Sequence, residues 1–192
     1  MYRHLLRPFS YLAIQDRFKW KVDWLYPAIL AVLSTGLILV IGLWGEIIIY
    51  EDSGLIDKIF GFVQVLPGFY IAALAAIATF NKLDIDKTMP APAPKLDIKV
   101  NGKTASIELT RRRFLCSMFA FLTAESFVLI VLSIFAIVAH ESIKNLLPAS
   151  THFAASAIFL FVFMLLFWQM ILATFWGLFY LGDRLHQPDA KT

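Results

Sequence analysis

The chain has 192 residues, of which 59% are hydrophobic and 16% charged, with a net charge of +3. Its mean hydropathy of +0.72 lies far outside the range of water-soluble domains, which excludes an ordinary soluble enzyme and leaves an integral membrane protein. The positive balance does not call for a direct nucleic-acid site, because the basic residues sit beside the apolar runs, where topology and anionic headgroups account for them.

The chain opens on residues 1–23, an amphipathic stretch with Leu5, Leu6, Phe9, Leu12 and Phe18 set among basic and polar residues, and Trp20, Trp24 and Tyr26 follow toward the first apolar run. This pattern predicts an interfacial segment on the inner membrane surface, broken at Pro8. Docking of a partner or of a neighbouring subunit is the other reading.

Four apolar runs follow, at about 24–44, 56–80, 114–139 and 153–181. Each reaches the roughly 20 helical residues needed to cross a hydrocarbon core about 30 Å thick. Lipid cannot satisfy backbone N–H and C=O groups, so the spans are helices. Runs such as 127–139, apolar apart from Ser133, lack the alternation of barrel strands. No small-residue cleavage site follows the first run, which is expected to remain as an anchor. The expected fold is thus an all-α integral membrane protein of four transmembrane helices, one domain over 1–192. Of the 17 Lys and Arg, all but Lys58 and Lys144 fall in the N-terminal segment, the central connection or the tail. The positive-inside rule then places both termini and the central loop in the cytoplasm.

The second run carries Pro67 and the small residues Gly68, Ala72 and Ala76, four positions apart, a helix-packing face for a neighbour in the same chain or in another subunit. Beyond it, MPAPAP (89–94) cannot continue a helix and reads as a stiff spacer. KLDIKVNGKTASIEL (95–109) then reads as a β-hairpin between the second and third spans, turning at Asn101-Gly102. That turn pairs Val100 with Lys103, Ile98 with Ala105, Leu96 with Ile107 and Lys95 with Glu108. Leu96, Ile98, Val100, Ala105, Ile107 and Leu109 share one face. An isolated hairpin is marginal in water, so this face needs cover from its own bundle, a second protomer or a cytoplasmic partner.

The third run contains Glu125, about 17 Å along the helix from Phe114 and so near the bilayer midplane. Such a carboxyl is costly and should face the bundle interior, where desolvation favours the neutral form able to donate a hydrogen bond. Ser34, Thr35, Gln169 and, nearer the outer half, Gln64 complete an expected polar network with it. The network either holds the helices in register or makes Glu125 a sensor, gate or pore-lining group. The fourth run is ringed by aromatic side chains, which implies lipid or a neighbouring protomer on more than one side rather than a cofactor box. Arg111-Arg112-Arg113 reads as a stop that pins the third span.

Cys116 reads as a reduced packing residue. His4, His140, His152 and His186 are scattered without metal-ligand spacing, and neither a phosphate loop nor a nucleophile elbow appears. No metal, cofactor or enzymatic activity is expected.

In layout the chain resembles the KwaA family, the small four-span membrane subunits of the two-gene Kiwa anti-phage defence system. The resemblance rests on the overall length, the aromatic start FSYLAIQDRFKWKVDWLYP and the compact inner loop LDIKVNGKTASIEL. It implies a homo-oligomeric sensor and scaffold in the bacterial inner membrane that detects phage attack at the envelope and recruits a cytoplasmic, KwaB-like DNA-binding partner. A small oligomeric ion channel or membrane-disrupting effector gated through Glu125 is the competing expectation. A proton-coupled transporter comes third, weakened by the lack of an inverted repeat.

Overall fold

A computed structural model of the chain describes residues 5–45, 47–51, 53–79, 83–89, 93–100 and 103–184. Within it are four helical stretches long and apolar enough to cross a membrane, over Lys21–Trp44, Leu55–Thr79, Arg111–Leu146 and Ala149–Gly182. The first is a π-helical turn, Lys21–Leu25, running into helix α1, Tyr26–Trp44. Pro27, near the start of α1, has no N–H to give the Asp23 carbonyl four residues back.

The second stretch, expected as one helix over 56–80, is two: α2, Leu55–Val63, and α3, Leu66–Thr79. Pro67 explains the break. It has no N–H for the carbonyl four residues back, and its ring would strike that carbonyl, which belongs to Val63. The third helix, α4, covers Arg111–Leu146, 36 residues, or about 54 Å, well beyond a bilayer core. The Thr110 hydroxyl caps its start by accepting from the Arg113 N–H at 3.3 Å. Pro148 follows its last turn and a single 3₁₀ turn leads into α5, His152–Phe179.

Helix α4 packs against α2, α3 and α5, while α1 packs against α5. Tyr70 of α3 and Thr174 of α5 share a hydroxyl–hydroxyl bond of 2.7 Å. Gly177 of α5 makes room for α4, since a Cβ there would lie 2.6 Å from Met118 Cε.

At the end of the bundle away from the hairpin, the connection from α1 to α2 is stapled down by Tyr50. Its hydroxyl lies 2.6 Å from Ser156 Oγ, and its ring stacks on His140 at 5.7 Å. Burial pushes this phenol above its ordinary pKa, which keeps it neutral. The turn that follows uses Ser53 at φ 67° and Gly54, where a Cβ would lie 2.8 Å from the Glu51 carbonyl and 3.0 Å from those of Ile48 and Ile49. Backbone atoms cannot step aside as a side chain can. Gly54→Ala is therefore expected to lower stability by about 1–3 kcal/mol, measurable as a fall in the thermal unfolding midpoint, whereas Gly177→Ala meets only the movable end of Met118 and should cost less.

The hairpin pairs β1, Lys95–Val100, with β2, Lys103–Glu108, in the register expected: Val100 opposite Lys103, Ile98 opposite Ala105, Leu96 opposite Ile107 and Lys95 opposite Glu108. The Asn101-Gly102 turn and the side chains of Ile98 and Val100 lie outside the described residues. The rest of the apolar face meets its own chain, with Leu96 and Leu109 buried and Ile107 half-buried against the core. Ala105 is half-buried, while Asp97, Ser106 and Glu108 on the opposite face are exposed. Backbone bonds tie the base on both sides. Gln15 and Lys95 exchange N–H···O bonds of 2.8 and 3.0 Å, and the Met89 N–H reaches the Leu109 carbonyl at 3.1 Å.

Candidate functional site

The most unusual chemistry lies where the N-terminal segment meets α4. Residues Arg7–Ala13 form a 3₁₀ turn begun by Pro8, and it aims Tyr11 inward rather than along a surface. Tyr11 is 0% exposed, stacks on Phe121 at 5.1 Å and tilts against Phe114 at 6.2 Å. Phe9 adds an edge contact to Phe121 at 6.1 Å. The segment is therefore not wholly a surface element. Leu5, Leu6, Phe18, Trp20 and Trp24 are exposed, but Tyr11, Ile14 and Lys19 are buried, because two stacked rings gain more from the bundle than from headgroups.

Asp16 then redirects the chain. Its Oδ1 accepts from the N–H groups of Phe18 and Lys19 at 3.0 and 3.1 Å, a local cap that starts the helical run. That run places Lys19 and Asp23 one turn apart, each 2% exposed. Lys19 Nζ donates to Asp23 Oδ2 and lies 3.9 Å from the Tyr11 ring centroid. The Tyr11 hydroxyl donates to Asp23 Oδ1 at 3.2 Å. Burial draws the Lys19 ammonium below its usual range, opposed by Asp23. It pushes the Tyr11 phenol well above its own, with Asp23 adding to the rise.

Glu125 faces this centre from α4, one turn beyond Phe121. It is 2% exposed and lies within electrostatic reach of Asp23, Tyr11 and Tyr70. Neither of its carboxyl oxygens has a hydrogen-bond partner among the described residues. Gln169 of α5 joins through Asp23, donating from Nε2 to the Asp23 main-chain carbonyl at 2.7 Å.

The remaining members of the expected polar network are placed apart. Ser34 Oγ donates to the Leu30 carbonyl at 2.7 Å and accepts from Trp168 Nε1 at 3.2 Å, so it serves the α1–α5 contact. Thr35 is buried with its hydroxyl unpartnered among the described residues. Gln64 is exposed, and its amide donates to the Gly61 carbonyl of its own helix at 3.4 Å. Pro67 ends α2 just there, which leaves Gln64 in the break rather than on a helix face. Gly68, Ala72 and Ala76 are exposed, so the small-residue face of α3 points out of the bundle and does not pack within this chain.

Lys19 and Asp23 were hidden from sequence reasoning because a lysine beside an apolar run reads first as a topology signal. Their i,i+4 spacing was the one available sign of an ion pair. Arg112 is likewise more than part of a stop sequence. Its guanidinium grips Asp86 through two bonds of 2.6 and 2.9 Å and donates to the Ile77 and Ala78 carbonyls at 2.7 and 3.1 Å. It thereby closes the open C-terminal end of α3.

These bonds hold the Asp86 carboxyl below the usual carboxylate range. A depressed folded-state pKa gives stability that is present above the unfolded value and lost as pH falls through the folded one. Acid titration of the wild type should therefore loosen the 83–89 segment only below about pH 4. Asp86→Asn should remove that step, as read by proteolysis at low pH.

The arrangement around Glu125 can hold a proton and can clamp the N-terminal arm. Among the described residues no three His, Cys, Asp or Glu side chains gather as metal ligands. Comparison of the chain with family models, with curated proteins and with solved structures finds no match.

Proposed function

We propose that this protein is a membrane-embedded sensor and scaffold subunit, acting as a homo-oligomer in the bacterial inner membrane with both termini and the hairpin in the cytoplasm. Its resemblance to the KwaA family supplies the setting, an anti-phage defence complex in which a KwaB-like DNA-binding protein is the cytoplasmic partner. The observation that carries the reading is the attachment of the hairpin. It is bonded to the N-terminal arm through Gln15 and Lys95 and to the segment before it through Met89 and Leu109, it runs through Thr110 directly into α4, and the arm in turn packs on Phe114 and Phe121 of α4. A shift of α4 within the bilayer is therefore carried to the platform that a soluble partner would meet.

Co-purification from cells expressing the whole operon tests this. A soluble partner retained by the wild type and lost when 95–109 is replaced by a short flexible linker supports the scaffold. Ion flux through liposomes holding this chain alone, with no partner retained, overturns it in favour of the channel.

A further inference from the structure

We propose that the outward side of residues 17–24, at the entry to the first span, is a docking site for the headgroups of anionic phospholipids, with Arg17 and Lys21 as the phosphate-binding cations. The inference is independent of the scaffold reading and needs no partner protein.

The stretch has two sides of different charge. Lys19 and Asp23 turn into the bundle, each 2% exposed, and neutralise one another. Arg17 and Lys21, also one helical turn apart, stay outside, the first exposed and the second half-buried. Both reach the same ring. The Arg17 guanidinium carbon and Lys21 Nζ each lie 5.6 Å from the centre of Phe18, so one aromatic surface gathers two positive charges. Neither cation has an ion-pair partner among the described residues. The acids adjacent in sequence are engaged elsewhere, Asp16 with the N–H groups of Phe18 and Lys19 and Asp23 with Lys19 and Tyr11. Two gathered, unpaired cations complement the net negative charge of an anionic headgroup. A choline headgroup would return a positive charge against them.

The apolar side chains decide where that phosphate comes from. Phe18, Trp20 and Trp24 are 59, 54 and 48% exposed, and the first membrane-crossing stretch begins at Lys21. The rings therefore stand at the interfacial level that aromatic side chains favour, while the two cations stand at the level of the headgroups. A phosphate free in water would leave the rings uncovered, whereas a phospholipid covers them with its acyl and glycerol portions.

Thermal unfolding of the full-length chain in a neutral maltoside detergent, titrated with dioleoyl phosphatidylglycerol or dioleoyl phosphatidylcholine, provides the readout. Phosphatidylglycerol should raise the wild-type midpoint saturably, and phosphatidylcholine should raise it far less. Arg17→Gln combined with Lys21→Gln should raise the half-saturating concentration of phosphatidylglycerol by about 25-fold, roughly fivefold for each cation removed from an anionic surface. Arg17→Gln alone, a change at an exposed position, should give the fivefold step even if the double variant folds poorly. Lys58→Gln combined with Lys144→Gln removes the same charge from exposed positions at the other end of the bundle and should respond as wild type does. The proposal is overturned if the Arg17 and Lys21 variants keep the wild-type response, if the Lys58 and Lys144 variant loses it equally, or if phosphatidylcholine is as effective as phosphatidylglycerol. A midpoint raised to the same extent by glycerol 3-phosphate alone would mark a site for free phosphate and overturn the lipid assignment.

Discussion

Lys19→Met is expected to destabilise the docked arm by about 3–5 kcal/mol, among the largest effects of any single substitution in this chain, because it leaves Asp23 as an unpaired buried anion. Both side chains are 2% exposed, so solvent cannot take over the role of the missing partner. Asp23→Leu should cost a comparable amount for the mirror reason, stranding the ammonium against the Tyr11 ring and leaving the Tyr11 hydroxyl without its acceptor. The double variant should cost clearly less than the two singles together, since removing both charges abolishes the desolvation burden along with the attraction. Denaturant or thermal unfolding of the three variants in one detergent closes the cycle. Additive effects would mean that the two charges do not act as a pair.

The second large effect is at the base of the hairpin. Leu109 is 0% exposed and also supplies both backbone bonds that join the hairpin to the segment before it, accepting from Met89 and donating to Pro94. Leu109→Ala removes the side chain from a packed site and should cost about 2–5 kcal/mol. Ser106→Ala, on the exposed face of β2, should cost almost nothing. Because Leu109 precedes α4 by one residue beyond its cap, the loss should appear first as faster amide exchange across 95–108, with the far-end contacts of Tyr50 unchanged.

How much of this was legible in the sequence depended on how local the signal was. The hairpin register follows from a two-residue turn and strict alternation, both contained in fifteen residues, and the pairing of Lys95 with Glu108 came out as expected. The number of spans follows from run length alone. The break in the second span is half visible, since Pro67 marks where a helix would lose its bond to the Val63 carbonyl while the apolar residues on both sides read as one continuous run. Burial of Glu125 was foreseen from the cost of a carboxyl in lipid. Its surroundings were not, because the arm that brings Tyr11, Lys19 and Asp23 to it is more than 100 positions away in the chain and its residues have ordinary local roles as belt aromatics and inside-positive charge. Hydropathy also cannot say which way a small-residue stripe points, and Gly68, Ala72 and Ala76 point outward.

The central claim is that arm, hairpin and α4 form one mechanically continuous unit, joined through Tyr11 on Phe121 and through Gln15 on Lys95. Amide exchange of the full-length chain in nanodiscs, comparing wild type with Phe121→Ala, tests it most directly. Phe121 meets the arm through the rings of Phe9 and Tyr11, and its truncation should raise exchange together over 7–25 and 95–100 while the Tyr50 connection stays protected. Exchange that rises in the arm alone, with 95–100 as slow as in wild type, would contradict the account.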